Sequence, residues 1–115
     1  MTMRTIPVEE AVYPGLYRLR AELPGIDPVY DLRVTCEGSE LRLDAAREPS
    51  TPAARGHSEF WYGRRLRVVT VPPDVRLSTV TARYADGVLE VSADRGVAEP
   101  RRAAFPVRVD AAVQP

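Results

Sequence analysis

The 115-residue chain has no lysine, one cysteine and one histidine, and each scarcity excludes a kind of chemistry. Without lysine there is no side-chain amine for Schiff-base catalysis. A single cysteine, Cys36, can form no intrachain disulfide, which is typical of the reducing cytoplasm. Cys36 and the lone histidine, His57, are too few for a structural zinc site. The composition therefore predicts a cytoplasmic protein without a bound metal.

Net charge and long apolar runs are missing as well. No run approaches the ~20 residues of a membrane span, and the start MTMRTIPVEEAVYPG lacks the apolar core of a signal peptide. Sixteen arginines balance sixteen acidic residues, so no net field attracts nucleic acid or an anionic membrane. No glycine-rich phosphate loop is present, and no nucleophile motif accompanies His57. We expect a non-enzyme that binds no nucleic acid, membrane, nucleotide or cofactor.

The pattern that is present throughout is a period-2 alternation of apolar and polar residues, with hardly any helical periodicity. The alternating segments lie at residues 17–23, 32–36, 41–45 and 80–93. Short strands separated by turns predict an all-β protein built as one antiparallel β-sandwich. We place the sandwich at residues 16–96, between a short flexible arm at 1–15 and a C-terminal extension at 97–115.

The stretch ARYADGVLEV, residues 82–91, is the strongest local signal. The Asp86-Gly87 pair favours a type I′ hairpin turn, which requires φ > 0 at both residues. Counting outward gives the pairs Ala85–Val88, Tyr84–Leu89, Arg83–Glu90, Ala82–Val91, Thr81–Ser92 and Val80–Ala93. Because directly opposed residues share a face, one face is apolar throughout and the other is polar. This register predicts a half-buried hairpin with Arg83 and Glu90 as an opposite-charge pair.

Several motifs in the expected order resemble the α-crystallin domain of small heat-shock proteins. The family signature is resembled by Ala82, Asp86, Gly87, Val88 and Leu89 in the pattern A-x-x-x-D-G-V-L. Residues 17–28 (YRLRAELPGIDP) resemble the first core strand, and residues 40–48 resemble the strand before the variable loop. Residues 58–72 resemble a bacterial aromatic-Gly segment followed by an arginine-bearing strand. The resemblance implies an immunoglobulin-like sandwich in which Arg67 takes the place of the family's strand arginine, while Arg65 stands where Phe is usual.

The resemblance also implies a function and partners. Small heat-shock proteins are ATP-independent holdase chaperones, so we expect the chain to bind unfolding client proteins and to form a homodimer or small homo-oligomer. Val107-Arg108-Val109 resembles the family's I/V-x-I/V tail motif, which docks into a groove on a neighbouring subunit by strand addition. That groove is expected between one strand with Leu41, Leu43 and Ala45 and another with Val80 and Ala82. The dimer contact is expected at Phe60, Trp61 and Tyr62, together with Arg67.

Other interpretations stay open at this point. The V-R-V segment could instead be a last strand of its own sheet. A non-chaperone adaptor that uses the same sandwich edge for one partner is the alternative function, and a small hydrolase that uses His57 is a third. At most about 16 residues precede the first predicted strand, which is short for the family's apolar arm, so we expect modest chaperone capacity.

Overall fold

The computed structural model describes residues 5–48, 62–97, 99–100 and 103–111, and every regular element in these ranges is a β-strand. The strands are β1 (Val8–Tyr13), β2 (Leu16–Glu22), β3 (Leu32–Glu37), β4 (Glu40–Arg47), β5 (Gly63–Thr70), β6 (Val75–Ala85), β7 (Val88–Arg95), β8 (Phe105–Val107) and β9 (Val109–Ala111). They form two sheets, with the strand orders β1-β2-β7-β6-β9 and β5-β4-β3-β8. The prediction of a β-sandwich is confirmed. The described ranges contain no helix of the length and apolarity needed to cross a membrane.

The core lies between the two sheets and consists of the side chains that alternate inward along each strand. Tyr17, Leu19 and Ala21 of β2 are fully buried, whereas the residues between them point outward. In the described residues no polar or charged residue is buried, and Cys36 lies in the core as a small apolar group. Complete burial of a large aliphatic side chain contributes about 1.5–3 kcal/mol, so this alternation determines which face of each sheet is inside.

The hairpin predicted from ARYADGVLEV is confirmed at its tip. Asp86 and Gly87 have φ values of 54° and 78°, as a type I′ turn requires. Five of the six predicted pairs are present in the β6–β7 register, from Ala85↔Val88 to Thr81↔Ser92. Although Arg83 and Glu90 do face each other, Glu90 makes its ion pairs with Arg18 and Arg20 of β2, at 3.4 and 4.0 Å.

The sixth predicted pair, Val80–Ala93, is wrong because β6 contains a bulge. The β6–β7 register shifts between Arg76 and Thr81. Thr79 fills this bulge: its hydroxyl donates to the Arg76 carbonyl at 2.7 Å and accepts from the Asp94 amide at 2.8 Å. The extra residues bend β6 and release it from β7 at this point.

The N-terminal region differs from the predicted flexible arm. Val8–Tyr13 forms β1, which pairs with β2 along its whole length, while residues 1–4 lie outside the described residues. The Glu22 amide donates to the Pro7 carbonyl at 3.0 Å, and Ile6 is fully buried. Both faces of β1 are largely exposed, so its sequence carries no alternation that could have revealed a strand.

The end of the described chain returns to its own sandwich. β8 pairs antiparallel with β3, and β9 pairs parallel with β6. The segment with the V-R-V motif therefore forms the last strands of its own sheets in this structure, which is the interpretation that the sequence left open beside docking on a neighbouring subunit.

Replacement of two glycines tests how closely the hairpin turn packs. Gly15 and Gly87 have φ values of +77° and +78°, but a Cβ at Gly15 meets nothing within 4 Å, whereas one at Gly87 lies 3.3 Å from the Pro24 Cα. Gly15→Ala should therefore cost about 1–2 kcal/mol from backbone strain alone, and Gly87→Ala should cost measurably more. Urea unfolding of both variants measures the difference. Equal losses would contradict the close approach of the turn to Pro24.

Candidate functional site

Two neighbouring sheet edges form the candidate site, and the C-terminal segment covers both. Val107 is the register partner of Val34 on β3, and Val109 is the partner of Ala82 on β6. Between them, at Arg108, the chain passes from one sheet to the other. We call this region the edge groove and define it by residues 34–36 of β3 and 82–84 of β6. A strand edge exposes unpaired N–H and C=O groups, and here the segment satisfies them on both sheets.

The side chains of the C-terminal segment alternate between the edge groove and solvent. Phe105, Val107 and Val109 are half-buried and pack against the core. Arg108 is almost fully exposed, with 92% of its side-chain surface accessible, and lies 3.4 Å from Asp110. The groove therefore holds an extended segment through main-chain pairing together with apolar side chains at every second position.

The predicted walls of the groove need one correction. Ala82 lies on β6 opposite Val109 and is 3% exposed, and Val80 packs nearby at the margin of the core. The other predicted wall residues, Leu41, Leu43 and Ala45, lie on β4, which is paired on both sides by β3 and β5. They face the core and offer no open edge. The second wall is β3, whose outer edge pairs with β8. The sequence pointed to β4 because apolar alternation identifies the buried face of a strand without showing whether that strand is at an edge.

Sequence reasoning missed two contributors to the edge groove. Cys36 of β3 is the register partner of Phe105, and both lie on the inner face. Phe105 stands two residues before Val107, so an extension of the V-x-V alternation by one step was the signal that could have found it. Cys36 carried the pattern of a core residue, and nothing in its sequence context marks it as lying at an edge.

Two of the residues predicted for the dimer contact, Phe60 and Trp61, lie outside the described residues, and so does His57, the residue of the hydrolase interpretation. Tyr62 is 41% exposed, and the Arg47 guanidinium carbon lies 5.4 Å from the centre of its ring, a cation–π arrangement. Arg67 Nη1 donates to the Ile6 carbonyl at 3.2 Å. Within this chain, Arg67 therefore fastens the segment before β1 to β5.

Ionisable groups near the site serve packing and surface charge balance. Burial raises the pKa of the Cys36 thiol to about 11, so this thiol is protonated at neutral pH. On the outer face of β4, a hydrogen bond from Arg64 lowers the pKa of Asp44. No group of three His, Cys, Asp or Glu residues that could hold a metal ion occurs among the residues that the structure describes.

Comparison with known sequences identifies the family. The family model described as "Hsp20/alpha crystallin family" matches residues 9–110. The chain belongs to this family. It is 35% identical over 89 residues to the protein named Alpha-crystallin of Mycobacterium tuberculosis, covering 77% of this chain and 61% of the relative. It is 32% identical over 80 residues to Small heat shock protein C4 of Rickettsia felis, covering 65% and 47%. The chain thus spans less than two thirds of the length of these curated relatives.

Solved structures of small heat-shock proteins have the same fold. A small heat-shock protein from Xylella fastidiosa matches with a TM-score of 0.74 and 27% identity, covering 88% of this chain and 95% of that one. The hspA protein from Xanthomonas axonopodis matches with a TM-score of 0.73 and 26% identity, covering 85% and 100%. The resemblance to the α-crystallin domain inferred from the motifs is confirmed.

The family signature has a structural explanation in this α-crystallin domain. Asp86 and Gly87 supply the two positive φ angles of the hairpin tip. Leu89 is fully buried. Ala82 presents a small side chain where β6 meets Val109, so the signature links a stable turn to one wall of the edge groove. The Leu23 amide also donates to the Gly87 carbonyl at 2.8 Å, which fixes the turn against the end of β2.

The Cys36 thiol makes the stability of the domain pH-dependent in a defined window. Its pKa rises from 9.0 to about 11 on folding, so the folded state holds this proton more tightly than the unfolded state. This stabilisation is complete below pH 9 and is lost as the pH rises towards 11. Urea unfolding between pH 8 and 11 should show a steeper decline for the wild-type chain than for Cys36→Ala. Equal slopes would show that Cys36 is not buried in the folded protein.

Proposed function

We propose that this chain is a cytoplasmic, ATP-independent holdase that binds exposed apolar segments of unfolding proteins and suppresses their aggregation. The supporting observation is the edge groove, which holds an extended segment through backbone pairing and alternate apolar side chains. Unfolding proteins expose segments of this kind. Family membership, which implies a chaperone role, supports the same conclusion.

The chemistry of the edge groove suits transient binding of many sequences. Main-chain hydrogen bonds do not depend on side-chain identity, so they contribute affinity without selecting one sequence. Each half-buried valine contributes only about 1 kcal/mol, which allows release as well as capture. Exchange of one strand for another at an edge is an equilibrium process, so the mechanism needs no nucleotide.

We also propose that the chain forms a homodimer or small homo-oligomer. In the described residues β1 and β5 each have a neighbouring strand on one side only. Val12 of β1 and Leu66 and Val68 of β5 are 51%, 44% and 44% exposed. The related Xylella protein is described as having a distinct high order structure. Phe60, Trp61 and Tyr62, with Arg67, remain our candidates for the dimer contact, and residues 105–111 of another copy could occupy the edge groove in the same register.

Suppression of client aggregation tests the holdase directly. Two unrelated proteins that aggregate on heating should scatter less light with a molar excess of the full chain, with and without ATP. The control is an equal mass of an unrelated protein without chaperone activity. Protection of both clients supports a holdase. No protection of either would refute it and would favour the adaptor, which binds one particular partner.

A matched pair of tyrosine substitutions tests the proposed dimer contact. Tyr62 is 41% exposed beside the candidate contact, and Tyr30 is 84% exposed in the loop before β3. Tyr62→Ala should shift the population towards monomer, by about tenfold in dissociation constant if the ring is a central anchor, whereas Tyr30→Ala should not. Light scattering after size-exclusion chromatography, over a dilution series, measures both. Equal masses for the two variants at every concentration would reject Tyr62 as an anchor.

A further inference from the structure

The inward-facing series of β4 ends in an arginine. Its first three members, Leu41, Leu43 and Ala45, are buried in the core. Arg47 follows at the next alternate position, at the end of the strand, and is half-buried. An arginine in such a place keeps its apolar stem against the core and carries its guanidinium to the rim of the sandwich. Arg47 therefore contacts the loops that leave the sheets at this end.

The guanidinium of Arg47 lies directly against the backbone of Gly25, in the loop between β2 and β3. A Cβ at position 25 would lie 2.7 Å from Arg47 Nε and 2.8 Å from Arg47 Cζ, which is closer than non-bonded atoms approach. Gly25 also has a φ of +74°, which few other residues adopt. Glycine at position 25 thus provides both the backbone conformation and the space that the guanidinium occupies.

The loop that carries Gly25 is a fixed part of the fold. Leu23 is fully buried, and its amide donates to the Gly87 carbonyl at the hairpin tip, at 2.8 Å. The Tyr84 hydroxyl donates to the Leu23 carbonyl at 2.7 Å. Burial raises the pKa of Tyr84, and the nearby positive charge of Arg47 acts in the opposite direction. The guanidinium therefore rests on a loop that hydrogen bonds and burial hold in place.

The same guanidinium holds the ring of Tyr62. Arg47 Cζ lies 5.4 Å from the centre of this ring, within the range of a cation–π interaction. Tyr62 directly precedes β5, and Arg47 is the register partner of Gly63, the first residue of that strand. The Tyr62 side is still 41% exposed, so the ring keeps a free surface. We call Gly25, Arg47 and Tyr62 the arginine clasp.

Building on the proposed homodimer, we propose that Arg47 is the positioning residue that holds the Tyr62 ring ready for contact with a second copy of the chain. Tyr62 adjoins β5, which has a neighbouring strand on one side only in the described residues. A side chain that is free before association loses rotational freedom on entering an interface, and this loss weakens binding. In the arginine clasp the ring is ordered beforehand. Tyrosine and arginine are also residue types enriched in protein interfaces.

The arginine clasp requires a guanidinium and not merely a positive charge. A guanidinium is planar, weakly hydrated and able to lie flat on an aromatic ring or a peptide backbone. A lysine ammonium is compact and strongly hydrated, so Arg47→Lys keeps the charge but loses the flat contact with Gly25 and Tyr62. This difference separates the clasp from a simple electrostatic effect.

Dissociation of the dimer measures the effect of Arg47. Light scattering after size-exclusion chromatography, over a dilution series of the full chain, gives the dissociation constant. Arg47→Ala and Arg47→Lys should each raise it about three- to tenfold, as expected for the ordering of one side chain. Arg42→Ala, which removes an exposed arginine from the same strand, should leave it unchanged. Arg47→Ala should have no further effect in a Tyr62→Ala chain, because the ring that it positions is absent.

A matched pair of glycine substitutions tests the other side of the arginine clasp. Gly25 and Gly38 have φ values of +74° and +59°, but a Cβ at Gly38 meets nothing within 4 Å. Gly25→Ala displaces the guanidinium and should raise the dissociation constant as much as Arg47→Ala does. Gly38→Ala strains a turn backbone without touching the clasp and should leave the dissociation constant unchanged. Urea unfolding of each variant establishes that it is folded under the conditions of the association measurement.

The outcomes separate this inference from the proposed homodimer. If Arg47→Ala lowered stability in urea but left the dissociation constant unchanged, Arg47 would have a structural role only and the inference would be overturned. Full recovery of association in Arg47→Lys would overturn it as well, because charge alone would then suffice. A wild-type chain that stays monomeric at every concentration would refute the proposed homodimer itself, and with it this role of Arg47.

Discussion

The outer edges of β3 and β6 impose the constraint on which the rest of this structure depends. Each edge carries a row of backbone groups that must be paired or left to water, and both lie on the same side of the sandwich. One extended segment satisfies both, since it pairs with β3 up to Val107 and with β6 from Val109 onward. Three features contact this C-terminal region: the small side chain of Ala82, the inward-facing side chain of Cys36, and Ser78 in the bulge of β6.

Near each described end of the chain, a side-chain hydrogen bond fastens the chain to a strand of the sandwich. Arg67 binds the Ile6 carbonyl near the start, and Glu99 binds Ser78 near the end. Edge elements unfold locally at lower cost than central strands because fewer apolar contacts are lost. The central strands β2, β7 and β4 can therefore keep the core intact while the edges exchange their partners, as the proposed holdase function requires.

The sequence predicted the features that depend on local backbone geometry and on the division between core and solvent. Asp86 and Gly87 defined the hairpin tip because few residues adopt positive φ, and the two faces of the hairpin made its register nearly unique. The bulge of β6 could not be predicted, since it depends on a hydrogen bond between Thr79 and Asp94 on different strands. β1 was not predicted because its side chains are mostly exposed and show no alternation, and pairing with β2 holds it in place. One wall of the edge groove was predicted on β4 but lies on β3, because apolar alternation looks the same in an edge strand and in a central strand.

The central claim is that the edge groove exchanges its resident segment for an extended segment of a client. Hydrogen exchange of the full chain, measured by mass spectrometry with and without an unfolding client, tests it most directly. We expect residues 105–111 to lose protection when the client binds, while residues 34–36 of β3 and 82–84 of β6 keep theirs because the client replaces the lost pairing. Client binding that leaves residues 105–111 as protected as in the chain alone would contradict the account.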